Sequence, residues 1–185
     1  KHPEIFAELS EKLDAWKTEM TTELGTDERA FVLADPGMEM TQVPARDGIP
    51  EGGITRSNKF PNDSFFGDWK STDDRIVWDA EVAASGSFEV ELFYTCDKEN
   101  LGSILQVSFG DASLKGKVTK AVPTGLVGTD EDRSLRVESY TQNWERMKLG
   151  KIKLEKGKGE FVLQATEIPG EEVMNFRLMT LRRMA

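Results

Sequence analysis

Residues 73–96, DDRIVWDAEVAASGSFEVELFYTC, read as two amphipathic strands joined by a small-residue turn. Ile76, Trp78, Ala80 and Val82 alternate with Val77, Asp79 and Glu81. After Ala84-Ser85-Gly86 the pattern restarts, with Phe88, Val90, Leu92 and Tyr94 set against Glu89, Glu91 and Phe93. Period two with one polar face describes a sheet that covers a core on one side and meets water on the other. The short connection predicts that the two strands pair as a hairpin.

The segments that follow repeat this pattern. Leu105, Val107 and Phe109 alternate, Gly110-Asp111 is a two-residue hairpin signal, and Ala112, Leu114, Gly116 and Val118 continue on the return strand. Trp144 to Leu154 is strand-like, and the break in alternation near Gly150 predicts a bulge. Gly157-Lys158-Gly159 reads as a turn into Phe161, Leu163 and Ala165, and Pro169-Gly170 as a turn into Met174, Phe176 and Leu178. Upstream, 41–46 reads as a first strand, 49–53 as a loop and 54–66 as short strand fragments. Short strands without interleaved helices predict a mainly β fold, an antiparallel two-sheet sandwich of jelly-roll type. Trp78, Val90, Leu92, Val107, Phe161, Leu163 and Phe176 are the expected core.

One helix precedes the sandwich. From Pro3 to Leu24, Ile5, Phe6, Leu9, Leu13, Trp16 and Met20 recur at helical spacing as one apolar stripe. Pro3 suits a first helical position and Gly25 a stop. The expected division is a helix over 1–25, a linker over 26–40 and a sandwich over 41–185. The opening Lys1-His2-Pro3-Glu4 reads as the middle of a longer chain, with the helix closing a preceding domain.

The chain has 185 residues, 38% hydrophobic and 31% charged, with a net charge of -9. That acidity argues against nucleic acid and anionic membrane as partners, because long-range repulsion opposes encounter. No apolar run approaches the roughly 20 residues of a membrane span, and no signal peptide is visible.

Several segments together resemble the C-terminal region of bacterial formylglycine-dependent arylsulfatases. They are HPEIFAELSEKLDAW (2–16), TQVPARDGIPEGGITRSNKFPNDSFF (41–66), STDDRIVWDAEV (71–82), SFGDASLKGKV (108–118) and EIPGEEVMNFRL (167–178). The first resembles the last helix of the sulfatase fold; the rest resemble an appended galactose-binding-like sandwich, similar to sugar-binding modules. The resemblance implies a sulfatase catalytic domain in cis, a periplasmic or secreted location, and calcium and a formylglycine in the parent enzyme. It implies no catalytic residue, cofactor or metal ligand here. The Cys/Ser-x-Pro-x-Arg signature of that family is absent, since Cys96 is followed by Asp97-Lys98-Glu99-Asn100.

The residue inventory points the same way. His2 is the only histidine, so a Ser–His or Cys–His pair would have to use it. Cys96, at an inward strand phase, reads as a small buried apolar residue. The carboxylate runs at 73–74, 130–132 and 171–172 read as solvated loop charge, with no EF-hand spacing for calcium. Sugars stack on aromatic rings and hydrogen-bond to amides and charged groups. Two irregular segments carry that mixture. The first supplies Arg56, Asn58, Asn62, Phe66 and Trp69, and the second, the long loop over 123–144, supplies Arg133, Tyr140 and Trp144. For Phe66 and Trp69 the competing reading is a core or interdomain plug, because a sandwich needs large apolar groups at its ends. The expectation is an accessory domain that binds a polysaccharide, sulfated ones included. The alternative is a structural, interdomain or oligomerisation module of the same enzyme, and a free-standing hydrolase stands behind both.

Overall fold

A computed structural model describes residues 2–22, 29–59, 64–136 and 140–184. Helix α1 spans Pro3–Thr22. Twelve strands follow: β1 Phe31–Leu33, β2 Met40–Pro44, β3 Ile49–Glu51, β4 Thr55–Arg56, β5 Phe66–Gly67, β6 Arg75–Val82, β7 Gly86–Thr95, β8 Ile104–Phe109, β9 Ala112–Lys117, β10 Glu145–Leu154, β11 Gly157–Glu167 and β12 Asn175–Arg183. They form two six-stranded sheets. One has the order β1-β6-β11-β8-β9, with β3 also on β6; the other has β10-β7-β12-β5-β4, with β2 also on β12. All pairings are antiparallel except that of β1 with β6. The mainly β, two-sheet sandwich with one N-terminal helix is the fold that the alternation predicts.

The two strands of the opening stretch do not pair with each other. β6 pairs with β11 in one sheet and β7 with β10 and β12 in the other, so residues 83–85 arch between the sheets. The reason is packing. Ile76, Trp78, Ala80 and Val82 on β6 and Phe88, Val90, Leu92 and Tyr94 on β7 are all at most 1% exposed, and together they fill the space between the two sheets. A hairpin would put both apolar sets on one face of one sheet; the arch sets them opposite each other. The same holds at 155–156, which cross from β10 to β11. Gly157-Lys158-Gly159, expected as a turn, already belong to β11 and pair with Val82, Glu81 and Ala80.

The expected core is the observed one: Trp78, Val90, Leu92, Val107, Phe161, Leu163 and Phe176 are all buried. Trp78 meets Phe161 and Phe176 at ring-centroid distances of 6.2 Å. The span expected as a linker contributes β1, whose Leu33 is buried, and the expected loop at 49–53 contributes β3. Ala34 follows β1 at a positive φ of 58°, held by Arg183, whose Nη2 donates to its carbonyl at 2.8 Å.

Gly110 takes φ 55° in the β8–β9 hairpin, and the bulge near Gly150 lies between Lys148 and Gly150 on β10. Gly150 has φ 143°, and a Cβ there would sit 2.9 Å from Leu114 Cδ1. Gly150→Ala is therefore expected to lower stability by about 1–3 kcal/mol, from backbone strain and a displaced leucine. A chemical denaturation curve checks this; an unchanged midpoint would show that the bulge tolerates a side chain.

No residue of α1 is buried. Its stripe is open, with Phe6 75% and Trp16 56% exposed and Ile5, Leu9, Leu13 and Met20 each near half-exposed. No described helix is long and apolar enough to cross a membrane.

Candidate functional site

One end of the sandwich carries a cleft of about 610 Å³. Its walls come from β4 and β5 and the residues flanking them, from the start of β12 and the residues before it, and from the 123–144 loop. Thr55, Arg56, Ser57 and Asn58 stand on one side with Phe65, Gly67 and Asp68; Leu126, Leu135, Arg136 and Tyr140 come from the loop, and Glu172 and Asn175 from the approach to β12.

The β4–β5 side is built by a tight ladder. Thr55 pairs with Gly67 and Arg56 with Phe66. Ser57 N donates to Phe65 O at 2.9 Å, and Phe65 N donates back to Ser57 Oγ at 3.1 Å. Phe65 immediately precedes β5 in extended backbone paired with Ser57, so it and Phe66 point to opposite faces. Phe66 goes to the core with no exposure, and Phe65 stays half-buried along the cleft. Asp68 adopts φ 55°, a left-handed conformation that Asp enters more readily than most residues. Its Oδ2 accepts from Thr55 Oγ1 at 2.5 Å, and Lys70 Nζ lies 3.8 Å from Oδ1.

The long loop holds one turn of 3-10 helix, Thr129–Glu131, and is fixed at several points. Cys96 and Val122 exchange backbone bonds of 2.9 Å. Asp97 accepts from Thr124 N at 2.9 Å and from Thr124 Oγ1 at 2.5 Å. Val127 N donates to Thr141 O at 2.9 Å. Gln142, 5% exposed, is the hub: its Oε1 accepts from Thr95 Oγ1 at 2.7 Å, Asn175 Nδ2 at 3.3 Å and Gly125 N at 3.5 Å. At the loop's far side Arg136 Nε donates to Asp132 Oδ2 at 2.6 Å, and the guanidinium lies 4.3 Å over the Tyr140 ring. The hydroxyl of Tyr140 and the Arg136 guanidinium hold the Asp132 carboxyl below its ordinary range.

The two segments singled out from sequence meet in this cleft, though only some of the expected side chains do. Arg56, Asn58 and Tyr140 line it. Arg56, however, is used internally: Nη1 donates to Arg46 O at 2.9 Å, Nη2 to Gly48 O at 2.9 Å, and the guanidinium lies 4.9 Å over Phe66. Tyr140 is 7% exposed, with one ring face under Arg136 and its oxygen accepting from Arg136 N at 3.0 Å, so it offers an edge rather than a platform. Phe66 and Trp69 are fully buried and offer no face to a ligand; the plug reading describes them. Trp144 stands behind the wall, edge-on to Phe65 at 5.4 Å. Arg133 is exposed on the loop outside the lining, and Asn62 falls outside the described residues.

Phe65, Asp68, Glu172 and Asn175 line the cleft outside the expected site residues: Phe65 and Asp68 stand in the same aromatic segment in sequence, and Glu172 reads there as solvated loop charge. The Phe65-Phe66 doublet carries a signal, because extended backbone sends successive side chains to opposite faces, but a strand as short as β5 gives no phase to say which goes inward.

Burial pushes the Cys96 thiol up to about 11, so it stays a neutral thiol at physiological pH. Among the described residues no group of three or more His, Cys, Asp or Glu is arranged to hold a metal. The cleft combines two aromatic side chains, two leucines, two amides, two carboxylates and two guanidinium groups.

No protein-family model and no curated protein sequence matches the chain. Solved structures do match in fold. The GH26-CBM35 β-(1,4)-mannanase of Podospora anserina superposes over 80% of this chain with a TM-score of 0.54 and 11% identity, and the chain spans 28% of that protein's length. A β-1,3-glucan binding CBM6 from Bacillus halodurans superposes over 83% of this chain and 99% of its own, with a TM-score of 0.52 and 12% identity. The mosquito-larvicidal Cry4Aa toxin from Bacillus thuringiensis gives a TM-score of 0.56 and 10% identity over 79% of this chain and 24% of the toxin. At such identities the likeness is one of fold. The chain is similar in fold to the β-sandwiches of carbohydrate-binding modules.

Proposed function

We propose that this chain is a non-catalytic accessory domain that binds a glycan in the cleft between the β4–β5 ladder and the 123–144 loop. The observation that carries this reading is the composition of the cleft: the Phe65 ring stands beside Asn58, Asp68, Glu172 and Asn175 on a preformed sandwich end. An aromatic face packs against the C–H surface of a sugar, and carboxylates and amides take its hydroxyls. The fold similarity to carbohydrate-binding modules supports the same reading. The finer identity, a C-terminal domain of a periplasmic or secreted sulfuric ester hydrolase with its catalytic domain in cis, rests on the motif resemblance alone.

The test is titration of neutral and sulfated oligosaccharides by calorimetry or NMR, on wild type and on Phe65→Ala. Loss of the ring is expected to weaken binding about tenfold, which corresponds to about 1.4 kcal/mol. Phe65 is only half-buried, so the fold should persist. Binding that is indifferent to Phe65→Ala would move the site off this cleft.

A second reading, a module that completes the architecture of a larger enzyme, is favoured by α1. Six large apolar side chains on that helix are 48% to 75% exposed, a stripe of the kind that marks an interface.

A further inference from the structure

The charges of the cleft narrow the class of glycan it accepts, a step that rests on the glycan reading above. Two cationic side chains line the cleft, and both are engaged within the protein. Arg56 donates to the carbonyls of Arg46 and Gly48 and covers Phe66. Arg136 donates to Asp132 and covers Tyr140. The Arg56 fork is tied to two backbone carbonyls, and an anion drawn to Arg136 would compete with its bond to Asp132.

The acceptor side differs. Asp68 Oδ2 takes the Thr55 hydroxyl, and Oδ1 has the exposed Lys70 at 3.8 Å. Glu172 Oε1 receives a single long contact of 3.5 Å from Asn100 Nδ2. A carboxylate has about four lone-pair sites, so each retains capacity for further donors. A sugar hydroxyl supplies such a donor. A sulfate ester or a uronate carboxylate supplies only acceptors and negative charge, which would oppose both carboxylates. The net charge of -9 adds long-range repulsion to the local one.

We infer that the cleft binds uncharged glycans, through hydroxyls donated to Asp68 and Glu172, and rejects sulfated and uronate-bearing ones. This narrows the partner expected from the sulfatase resemblance: the domain would hold a neutral stretch of polymer.

The experiment pairs each neutral oligosaccharide, drawn from β-1,3-glucan, β-1,4-mannan, xylan and galactan, with its chemically sulfated derivative. The whole 185-residue chain is titrated with both at low and at high salt. A neutral ligand is expected to bind roughly tenfold or more tightly than its sulfated partner at low salt, and the gap should shrink as salt screens the repulsion. In the double variant Asp68→Asn, Glu172→Gln the gap should narrow, with weaker neutral binding. Asn tolerates the left-handed backbone at position 68, so this variant is expected to fold, which circular dichroism verifies. Equal or tighter binding of the sulfated member overturns the inference and leaves the glycan reading intact. A gap unchanged in the double variant overturns the assignment to these two carboxylates. Absence of binding in every pair removes the glycan reading, and the inference with it.

Discussion

Trp69→Ala is expected to destabilise the domain by about 3 kcal/mol, and any loss of ligand binding should track the fraction unfolded. The side chain is fully buried, and its backbone carbonyl accepts from Val173 N at 2.8 Å, tying the segment after β5 to the approach to β12. Truncating a buried indole removes its transfer free energy and leaves a cavity, together about 3–5 kcal/mol. The lower end applies because the indole N–H is buried with no hydrogen-bond partner among the described residues, so the wild type already carries a penalty that alanine removes. Trp69→Phe separates packing from chemistry. It keeps most of the volume and deletes the orphan donor, so its stability should lie within about 1.5 kcal/mol of wild type. Denaturant midpoints for the two variants give the answer. A Trp69→Ala protein of wild-type stability that had lost glycan affinity would place this tryptophan in the binding surface after all.

Alternation settled which residues face the core, from Trp78 to Phe176, because burial on one face of a strand imposes period two wherever that strand pairs. The same logic does not fix how β6 pairs with β7, and the hairpin expected from their short connection does not form. A three-residue connection of Ala83, Ala84 and Ser85 can also arch between sheets, and the need to cover both apolar faces at once selects the arch. The candidate site was legible as two irregular, polar and aromatic segments that come together at one end. Its individual side chains were less so. Arg56 looks like a free cation in sequence and turns out to clamp a turn through backbone carbonyls, contacts that no spacing rule encodes. Glu172 and Asn175 reach the cleft only because β12 lies between β7 and β5, a consequence of long-range topology. Asp68 owes its place to a left-handed backbone that nothing in the sequence announces.

Gln142→Leu should be the most damaging single change in the long loop, with a loss of about 2–3 kcal/mol and an ordered loop made mobile. Gln142 reads as one more polar residue in an irregular stretch, yet its single oxygen accepts from Thr95, Asn175 and Gly125 in a buried setting. Leucine fills similar space and takes away the acceptor. The hydroxyl of the fully buried Thr95 and the amide of Asn175 are then left without it, and an orphaned buried donor costs about 1–3 kcal/mol. The loss also reaches the cleft. Gly125 precedes Leu126, which lines it, and Asn175 lines it directly, so both walls lose the strut between them. Two readouts therefore move together: a lower denaturation midpoint, and faster amide exchange over 123–128 relative to β7 and β12. Glycan affinity should fall as well, because a loosened wall must be ordered at the expense of binding. The Asp97–Thr124 bonds remain and limit the opening to the segment beyond Thr124. If the midpoint drops while exchange in the loop and affinity both hold at wild-type values, the hub is merely part of the core, and the loop is held by its other anchors.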